Sequence, residues 1–428
     1  MNKNTEELYA SQLDNQDPLA SFRERFIIAD PNLIYLDGNS LGRLPKDTIP
    51  HLQNLIEEQW GKDLIEGWNK GWFEMPTVLG SRIAKLIGAR DDEVVVCDTT
   101  SVNLFKLATA ALRYQAGKKV LLSDEFNFPT DLYVFQGVID LLNDRHKLDL
   151  IRSEDSISIS EENINNAITE DTALVALTQV AFKSAFMYDI QKVTELAHQQ
   201  GALAMWDLCH SVGAVPLELN EWNVDLAVGC TYKYLNGGPG SPAFLYVRKD
   251  LQKELLPPIW GWFADKAPFS FNLDFTPADS ISRYQISTPH ILSMAGIEPA
   301  LEIIMEAGMD QLREKSIKQT DYLIYLAQEL LNPLGFEIGS PLDSSQRGSH
   351  VSLRHPESYR ICRALIDPQP GDTNLKVIPD FRAPNNIRLG IAPLYTSFTD
   401  IHRTLKRIKT IVEDGIFQNY SKEQLKVT

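Results

Sequence analysis

Short apolar runs alternate along this chain with stretches that carry apolar residues at helical spacing. Six of the apolar runs predict buried strands, at 93–98, 119–124, 148–152, 173–178, 202–207 and 225–229. Between them, stretches such as 102–114 and 189–200 predict amphipathic helices. This alternation is typical of a mostly parallel sheet with helices on both faces, which binds ligands outside the carboxyl ends of its strands.

The pattern differs on both sides of this region. Before it, the spacing predicts a helix, a strand and a helix, at 5–29, 33–37 and 46–60. After about Pro289 it predicts two helices, short strands and a last helix with Ser397 as its N-cap, at 291–307, 311–331, 335–338, 350–353, 375–378, 386–391 and 398–412. We therefore expect an N-terminal segment (1–60) that packs with a small α+β domain (291–428), and a large domain (61–290) between them.

Composition narrows the class of protein. The 428 residues suffice for one large and one smaller domain, and the formal net charge of −16 argues against a nucleic-acid or anionic-membrane partner. The four cysteines are far apart, and no apolar run reaches membrane-spanning length. These features predict a cytoplasmic protein without a metal site. The histidines show no metal spacing, and all but His210 and His290, His350 among them, are interpreted as surface or packing residues.

The stretch 228–240 holds the first candidate for chemistry. A predicted strand ends at Gly229, and Lys233 follows between two tyrosines, ahead of a turn made of Asn, Gly, Gly, Pro and Gly. A lysine that binds a carbonyl compound as a Schiff base must be held rigidly and reach its unprotonated form. An ordinary strand-to-loop turn fits this stretch equally well.

Other strand ends carry the partners that such a lysine needs. Asp207 ends the strand before Lys233, and pyridoxal phosphate (PLP) requires both a lysine for its aldehyde and a carboxylate for its ring nitrogen. Thr99, Thr100 and Ser101 lie at the N-terminus of the helix predicted at 102–114, where they either cap the helix or, with its free N–H groups, bind a phosphate. Phe128 offers an apolar face for the ring. This order of residues predicts a PLP site.

Seven segments together carry a resemblance to one family: 36–42, 100–104, 128–131, 206–211, 231–240, 261–263 and 388–395. Over about residues 20 to 415 the chain resembles the kynureninases, PLP-dependent enzymes of the aspartate-aminotransferase superfamily. The resemblance implies an α/β protein of PLP-dependent transferase fold type I. It would have a large, mostly parallel, seven-stranded type of sheet and a smaller α+β C-terminal domain.

The resemblance also implies residue roles. Lys233 would bind the cofactor covalently, and Lys233, Tyr232 and Asp207 would be the catalytic set. The implied cofactor contacts are Thr100, Ser101, Phe128, Pro129, Thr130, Asp131, Thr178, Asp207, His210, Tyr232, Lys233, Trp262 and Thr288. Trp262 and Thr288 would reach the site from a partner subunit, which implies a homodimer. The implied substrate contacts are Arg388, for the α-carboxylate, with Trp68, Ser40 and Asn39.

The implied reaction is a hydrolysis of a carbon–carbon bond in a ketonic substrate. L-kynurenine would give anthranilate and L-alanine in tryptophan catabolism, and 3-hydroxykynurenine would react less well because Trp68 and Thr288 match the bacterial type of the family. One alternative is a cysteine desulfurase or selenocysteine lyase, for which Cys362, on a predicted helix face, is the only candidate nucleophile. The other is a non-catalytic protein of the same fold, against which the pair of Lys233 and Asp207 counts.

Overall fold

The computed structural model describes residues 5–369 and 375–423. Its strands are β1 (Leu33–Tyr35), β2 (Val94–Val96), β3 (Val120–Asp124), β4 (Lys147–Ile151), β5 (Thr172–Thr178), β6 (Leu203–Asp207), β7 (Leu226–Gly229), β8 (Phe244–Val247), β9 (Glu337–Ile338), β10 (His350–Arg354), β11 (Lys376–Ile378), β12 (Asp380–Arg382) and β13 (Asn386–Gly390). All six strands predicted between residues 93 and 229 are present. Strands β8 and β12 were not predicted.

The large sheet has seven strands in the order β2-β8-β7-β6-β5-β3-β4. β8 runs antiparallel to both of its neighbours, whereas the pairs among β3 to β7 are all parallel. The central strands β5, β6 and β7 are buried throughout, because helices cover both faces. The predicted α/β class, with a mostly parallel sheet of seven strands, is confirmed.

The α-helices are α1 (Glu7–Asn15), α2 (Thr48–Asn54), α3 (Met75–Leu86), α4 (Thr100–Tyr114), α5 (Pro129–Leu141), α6 (Glu161–Ala167), α7 (Ile190–Gln199), α8 (Ile291–Ala295), α9 (Ile297–Ala307), α10 (Met309–Leu330), α11 (Ser358–Ile366) and α12 (Phe398–Glu413). The helix predicted at 5–29 is too long. α1 ends at Asn15, and Pro18, which has no N–H to donate, separates it from a 3₁₀ turn at Ala20–Arg25. No helix within the described ranges is long and apolar enough to cross a membrane.

A second sheet has the strand order β12-β13-β10-β9. Its core is shared with helices α10 to α12 and with the start of the chain, since Ala10 and Ile34 belong to the same apolar cluster as Leu405. The Asp14 carboxylate at the end of α1 accepts from the N–H groups of Phe398 (2.7 Å) and Thr399 (3.0 Å). The N-terminal segment therefore packs on the last helix. The domain boundaries at residues 60 and 290 stay a prediction.

Ser397 is the predicted N-cap of α12, and the structure confirms it. The Asp400 N–H donates to Ser397 Oγ (3.0 Å), and the Ser397 N–H donates back to the Asp400 carboxylate (3.1 Å), which forms a capping box. We expect Ser397→Ala to lower the free energy of unfolding by about 1 kcal/mol, the usual loss for such a cap. Urea denaturation followed by circular dichroism measures it. Thr410→Ala, in the same helix but away from its start, is the control, and an equal loss there would contradict the assignment.

Candidate active site

The predicted site residues meet where the parallel strands end. Pairing of β5 with β6 places Thr178 opposite Asp207, and pairing of β6 with β7 places Asp207 opposite Val228. Lys233 follows β7 by one short turn. Thr178, Asp207 and Lys233 all line one cavity of about 360 Å³ at this edge of the sheet.

Most of the predicted site residues line this cavity. Its described lining is Asn39, Ser40, Thr100, Ser101, Phe128, Thr130, Asp131, Thr178, Phe182, Asp207, Cys209, His210, Tyr232, Lys233, Arg382 and Arg388. That described set does not include Pro129, Trp68, Trp262 or Thr288. Pro129 instead begins helix α5, and Trp68 packs against Trp72 with ring centroids 5.7 Å apart. A larger cavity of about 560 Å³ elsewhere contains none of the predicted site residues.

Lys233 is the one lysine in the described lining, and its amine has a specific partner. Lys233 Nζ lies 3.1 Å from His210 Nε2, so the lysine donates to a neutral imidazole. Burial and the positive charges of Lys233 and Arg388 hold the pKa of His210 well below its usual range. The ring of His350, fully buried on β10, lies 5.5 Å from that of His210. The packing interpretation of His350 is correct, but it packs beside the site.

Two carboxylates lie together near Lys233. Asp131 is almost completely buried, its Oδ2 has no hydrogen-bond partner, and burial together with the charge of Asp207 raises its pKa well above the usual range. Asp207 accepts a hydrogen bond from the Cys209 N–H (2.8 Å). A protonated ring nitrogen would give these acids the donor and the positive charge that they lack. The pair therefore fits the pyridine nitrogen of PLP.

The start of α4 fits a phosphate group. Thr99 caps the helix by accepting from the Val102 N–H (3.4 Å), so the predicted capping is present. Thr100 and Ser101, the first two residues of the helix, line the cavity, and the N–H groups of a first helical turn have no carbonyl partner within the helix. The capping alternative therefore holds for Thr99, and phosphate binding by Thr100 and Ser101 stays a prediction. Phe128, which also lines the cavity, is 40% exposed, and its ring makes a T-shaped contact with that of Phe182, 5.3 Å between centroids.

Arg388 forms the other end of the cavity. Its side chain is 1% exposed, and it donates to Phe182 O (2.7 Å) and to Ser40 Oγ (2.7 Å). Its Nε has no hydrogen-bond partner. A buried guanidinium with an unused N–H next to a cavity is suited to a carboxylate ligand.

The loop that carries Asn39 and Ser40 is tied to the lysine loop. The Gly42 N–H donates to Tyr232 O (2.8 Å), and a Cβ at Gly42 would collide with Lys233 O and with Asn236. A glycine at position 42 is therefore needed for the two loops to pack. The Arg388 end and the Lys233 end of the cavity are held together by this contact.

Three lining residues were not predicted: Phe182, Cys209 and Arg382. Cys209 lies two residues after Asp207, so its position near the site could have been inferred. Phe182 lies in the turn after β5 and Arg382 ends β12, a strand that was not predicted, and nothing in their spacing indicates which surface they meet. His350 and Asp380 were also missed, because their contacts are with segments distant in the sequence.

Comparisons with known proteins agree with this geometry. Residues 34–358 match the model of the class-V aminotransferases, and residues 312–408 match the model of the kynureninase C-terminal domain. A kynureninase from Pseudomonas fluorescens is 43% identical over 406 residues, which cover 94% of each chain. One from Geobacillus thermodenitrificans is 40% identical and covers 97% of this chain and 96% of its own.

This chain belongs to the kynureninase family. The family's PLP dependence and its class of activity, hydrolysis of a carbon–carbon bond, agree with the predictions from sequence. Among solved structures, a cysteine desulfurase from Thermococcus onnurineus is similar with a TM-score of 0.77 at 18% identity, covering 94% of this chain and 98% of its own. A C-DES mutant with glycine linked to its PLP gives 0.76 at 15%, covering 89% and 97%. These likenesses confirm the predicted fold type.

The candidate nucleophile of the desulfurase alternative is not in the described lining of the cavity. Cys362 lies on α11, as predicted, and is fully buried within the small-domain core. Burial and the nearby negative charge of Asp380 raise the pKa of its thiol well above the usual range. Cys362 is a structural residue, and kynureninase chemistry remains the assignment.

Proposed function

We propose that this protein hydrolyses L-kynurenine to anthranilate and L-alanine, and 3-hydroxykynurenine less well, in the cytoplasm. One observation carries the proposal: a lysine, an acid pair and a carboxylate-binding arginine line one cavity, in a chain of the kynureninase family. The lysine and the acid pair fit PLP, and Arg388 fits an amino-acid carboxylate. PLP supplies an electron sink for the negative charge that develops on the substrate Cα.

Each side chain then has a task. Lys233 Nζ would hold the cofactor and, in its free amine form, would remove the proton from the substrate Cα. Neutral His210 accepts a hydrogen bond from Lys233 Nζ and so fixes the direction of the lysine side chain. Asp207, next to Asp131, keeps the ring nitrogen protonated, and Arg388 with Ser40 fixes the substrate carboxylate.

Tyr232 is our candidate for the acid in the cleavage step. Its ring lies 6.0 Å from Lys233 Nζ, and burial raises the pKa of its phenol above the usual value, so the phenol is protonated at neutral pH. Water adds to the γ-carbonyl carbon and the Cβ–Cγ bond breaks. The aromatic part leaves as anthranilate, the electron pair of the broken bond stays with Cβ, and the phenol gives a proton to Cβ, which yields alanine. The proton that the hydrated carbonyl group releases restores the phenol.

The test uses the purified protein saturated with PLP. We expect L-kynurenine to give anthranilate, followed by its fluorescence, and an equal amount of L-alanine. 3-Hydroxykynurenine should give a lower kcat/KM, and L-cysteine should give no sulfide. Sulfide release without anthranilate would favour the desulfurase chemistry, and neither product would favour a binding protein.

We also propose that the enzyme is a homodimer with shared sites. Trp262 and Thr288 do not line the cavity of their own chain among the described residues, although the family resemblance implies cofactor contacts for both. The surface near Trp262 is strongly apolar: Trp260, Phe269, Phe271 and Leu273 are each more than half exposed. Apolar patches of this kind mark protein interfaces, so a second copy covering it would bring both residues to the partner's cavity.

Mixing two inactive variants tests this sharing. Lys233→Ala removes the lysine of a site, and Trp262→Ala removes the contact made to the other site. After subunit exchange we expect about a quarter of all sites to be complete, because half of the dimers are mixed and each has one native site. The measurement is kynurenine turnover against each variant alone. No recovery despite exchange, verified by mass spectrometry of tagged chains, would contradict shared sites.

A further inference from the structure

Four charged side chains meet behind the Arg388 end of the cavity. β12 pairs with β13 so that Asp380 lies opposite Arg388, and Asp37 follows β1 on the other side. Asp380 Oδ2 lies 2.5 Å from Arg388 Nη2 and 2.7 Å from Arg382 Nε. Asp37 Oδ1 lies 3.7 Å from Arg388 Nη2. One carboxylate thus touches two guanidinium groups at once.

These contacts are close, but they are not aligned hydrogen bonds. Asp380 Oδ2, Arg382 Nε and Arg388 Nε are all buried without a hydrogen-bond partner, and so is Asp37 Oδ1. Nδ2 and Oδ1 of neighbouring Asn39 are also buried without a hydrogen-bond partner. Buried charged groups are stabilised only when their hydrogen bonds are made, so this cluster is incomplete as it stands.

The charges in the cluster are already balanced. Two carboxylates face two guanidinium groups, and burial together with Asp380 raises the pKa of Asp37 to about 6, which shows that negative charge is disfavoured here. A substrate carboxylate on Arg388 would be a third negative group, a few ångströms from Asp380. The two carboxylates would repel each other unless Asp380 moved away.

Asp380 has a second partner, Arg382, which can bind its carboxylate in place of Arg388. Arg382 lines the cavity, its side chain is 33% exposed, and its guanidinium lies 5.9 Å from the Phe182 ring centroid. It is therefore less confined than Arg388, which is 1% exposed and bonded to Phe182 O. A small shift of Asp380 toward Arg382 would align that pair and leave Ser40 Oγ as the hydrogen-bond partner of Arg388 Nη2.

We propose that Asp380 occupies the position of the substrate carboxylate on Arg388 and is transferred to Arg382 when the substrate binds. Asp380 is then a specificity-determining residue, and Arg382 is a positioning residue. A ligand that offers only a carboxylate must displace Asp380 without gaining any other contact that offsets the free energy of this displacement. A substrate amino acid also gains its covalent attachment and the contacts of its aromatic ring. This inference rests on the proposed role of Arg388 as the carboxylate-binding residue.

The test compares Asp380→Asn with Arg382→Gln in the PLP-loaded enzyme. Calorimetry gives the Kd of propionate and of L-alanine, and steady-state kinetics gives KM and kcat for L-kynurenine. Removing the Asp380 charge should strengthen propionate binding on the order of tenfold and lower KM. Removing Arg382 leaves Asp380 on Arg388. It should weaken propionate binding and raise KM by a similar factor. The double variant should resemble Asp380→Asn, since Arg382 then has no carboxylate to hold.

The two variants are expected to shift propionate binding in opposite directions, and this separates the proposal from a structural role of the cluster. If the cluster only supported the fold, both variants would weaken binding, and weaker propionate binding in Asp380→Asn would overturn the proposal. If Asp380→Asn does not fold, unchanged or stronger binding in Arg382→Gln overturns it. Asp367→Asn and Arg363→Gln, in a partly exposed pair 3.9 Å apart at the C-terminal end of α11, are the matched controls and should change nothing. Opposite shifts in propionate Kd without kynurenine turnover would uphold Asp380 and reject the proposed substrate.

Discussion

Lys233→Ala is expected to abolish kynurenine turnover while leaving the fold intact. The variant removes the one lysine in the described lining of the cavity, and with it both the attachment of PLP and the amine that moves the Cα proton. The loss should be at least about a thousandfold, because acid–base catalysis alone contributes roughly 10² to 10⁴ and covalent attachment adds to it. Anthranilate fluorescence under saturating substrate measures the rate. The visible absorption of lysine-bound PLP should disappear as well.

The matched control is Lys192→Ala, which removes an exposed lysine paired with Glu161. Turnover and absorption should both be unchanged there. Turnover near that of the native enzyme in Lys233→Ala would mean that another amine does the chemistry, and the proposed mechanism would be wrong. Unfolding curves of both variants show whether stability is affected.

Arg388→Lys is expected to raise KM for L-kynurenine by about a hundredfold. Loss of one partner in a buried, hydrogen-bonded charge pair usually weakens binding by 2–5 kcal/mol or more, and a lysine cannot reproduce the fork that reaches Phe182 O and Ser40 Oγ together. The charge is kept, so Asp37 and Asp380 are not left beside a neutral group. Because the carboxylate is bound in both ground and transition states, kcat should change much less than KM.

Steady-state kinetics over a wide range of kynurenine concentration measures this split. Arg363→Lys, a change of the same type on the exposed side of α11, serves as the control and should leave KM unchanged. A fall in kcat at constant KM would instead place Arg388 in the chemical step. Binding of L-alanine should weaken by a similar factor, which tests the carboxylate contact without turnover.

Much of the site could be predicted because the chemistry lies at the ends of predictable elements. Asp207 and Thr178 end apolar runs, and the carboxyl ends of parallel strands must lie along one edge of the sheet. Thr99 and Ser397 precede amphipathic stretches and were found as caps. Family resemblance then supplied roles for residues such as Arg388, whose spacing alone indicates nothing.

Other features depended on contacts that no local pattern encodes. Strand β8 lies antiparallel between β2 and β7, although its apolar residues would suit either direction. The helix predicted at 5–29 was wrong because the prediction rested on a charged face at helical spacing. Pro18, which has no N–H to donate, keeps the helix from continuing. His350 was grouped with surface and packing residues, since nothing in its spacing indicates that β10 lies beside the loop that carries His210.

The sequence by itself determined most of the strands and helices and the chain order of the lysine, the carboxylates and the phosphate-type helix start. It did so because burial periodicity, capping and turn chemistry act between residues close in the chain. Only the tertiary structure decided which distant segments meet: Ser40 with Arg388, Gly42 with the Lys233 loop, and Asp380 between two arginines. A pattern of apolar residues specifies that a face is buried, but the partner that buries it is selected by packing of the whole chain.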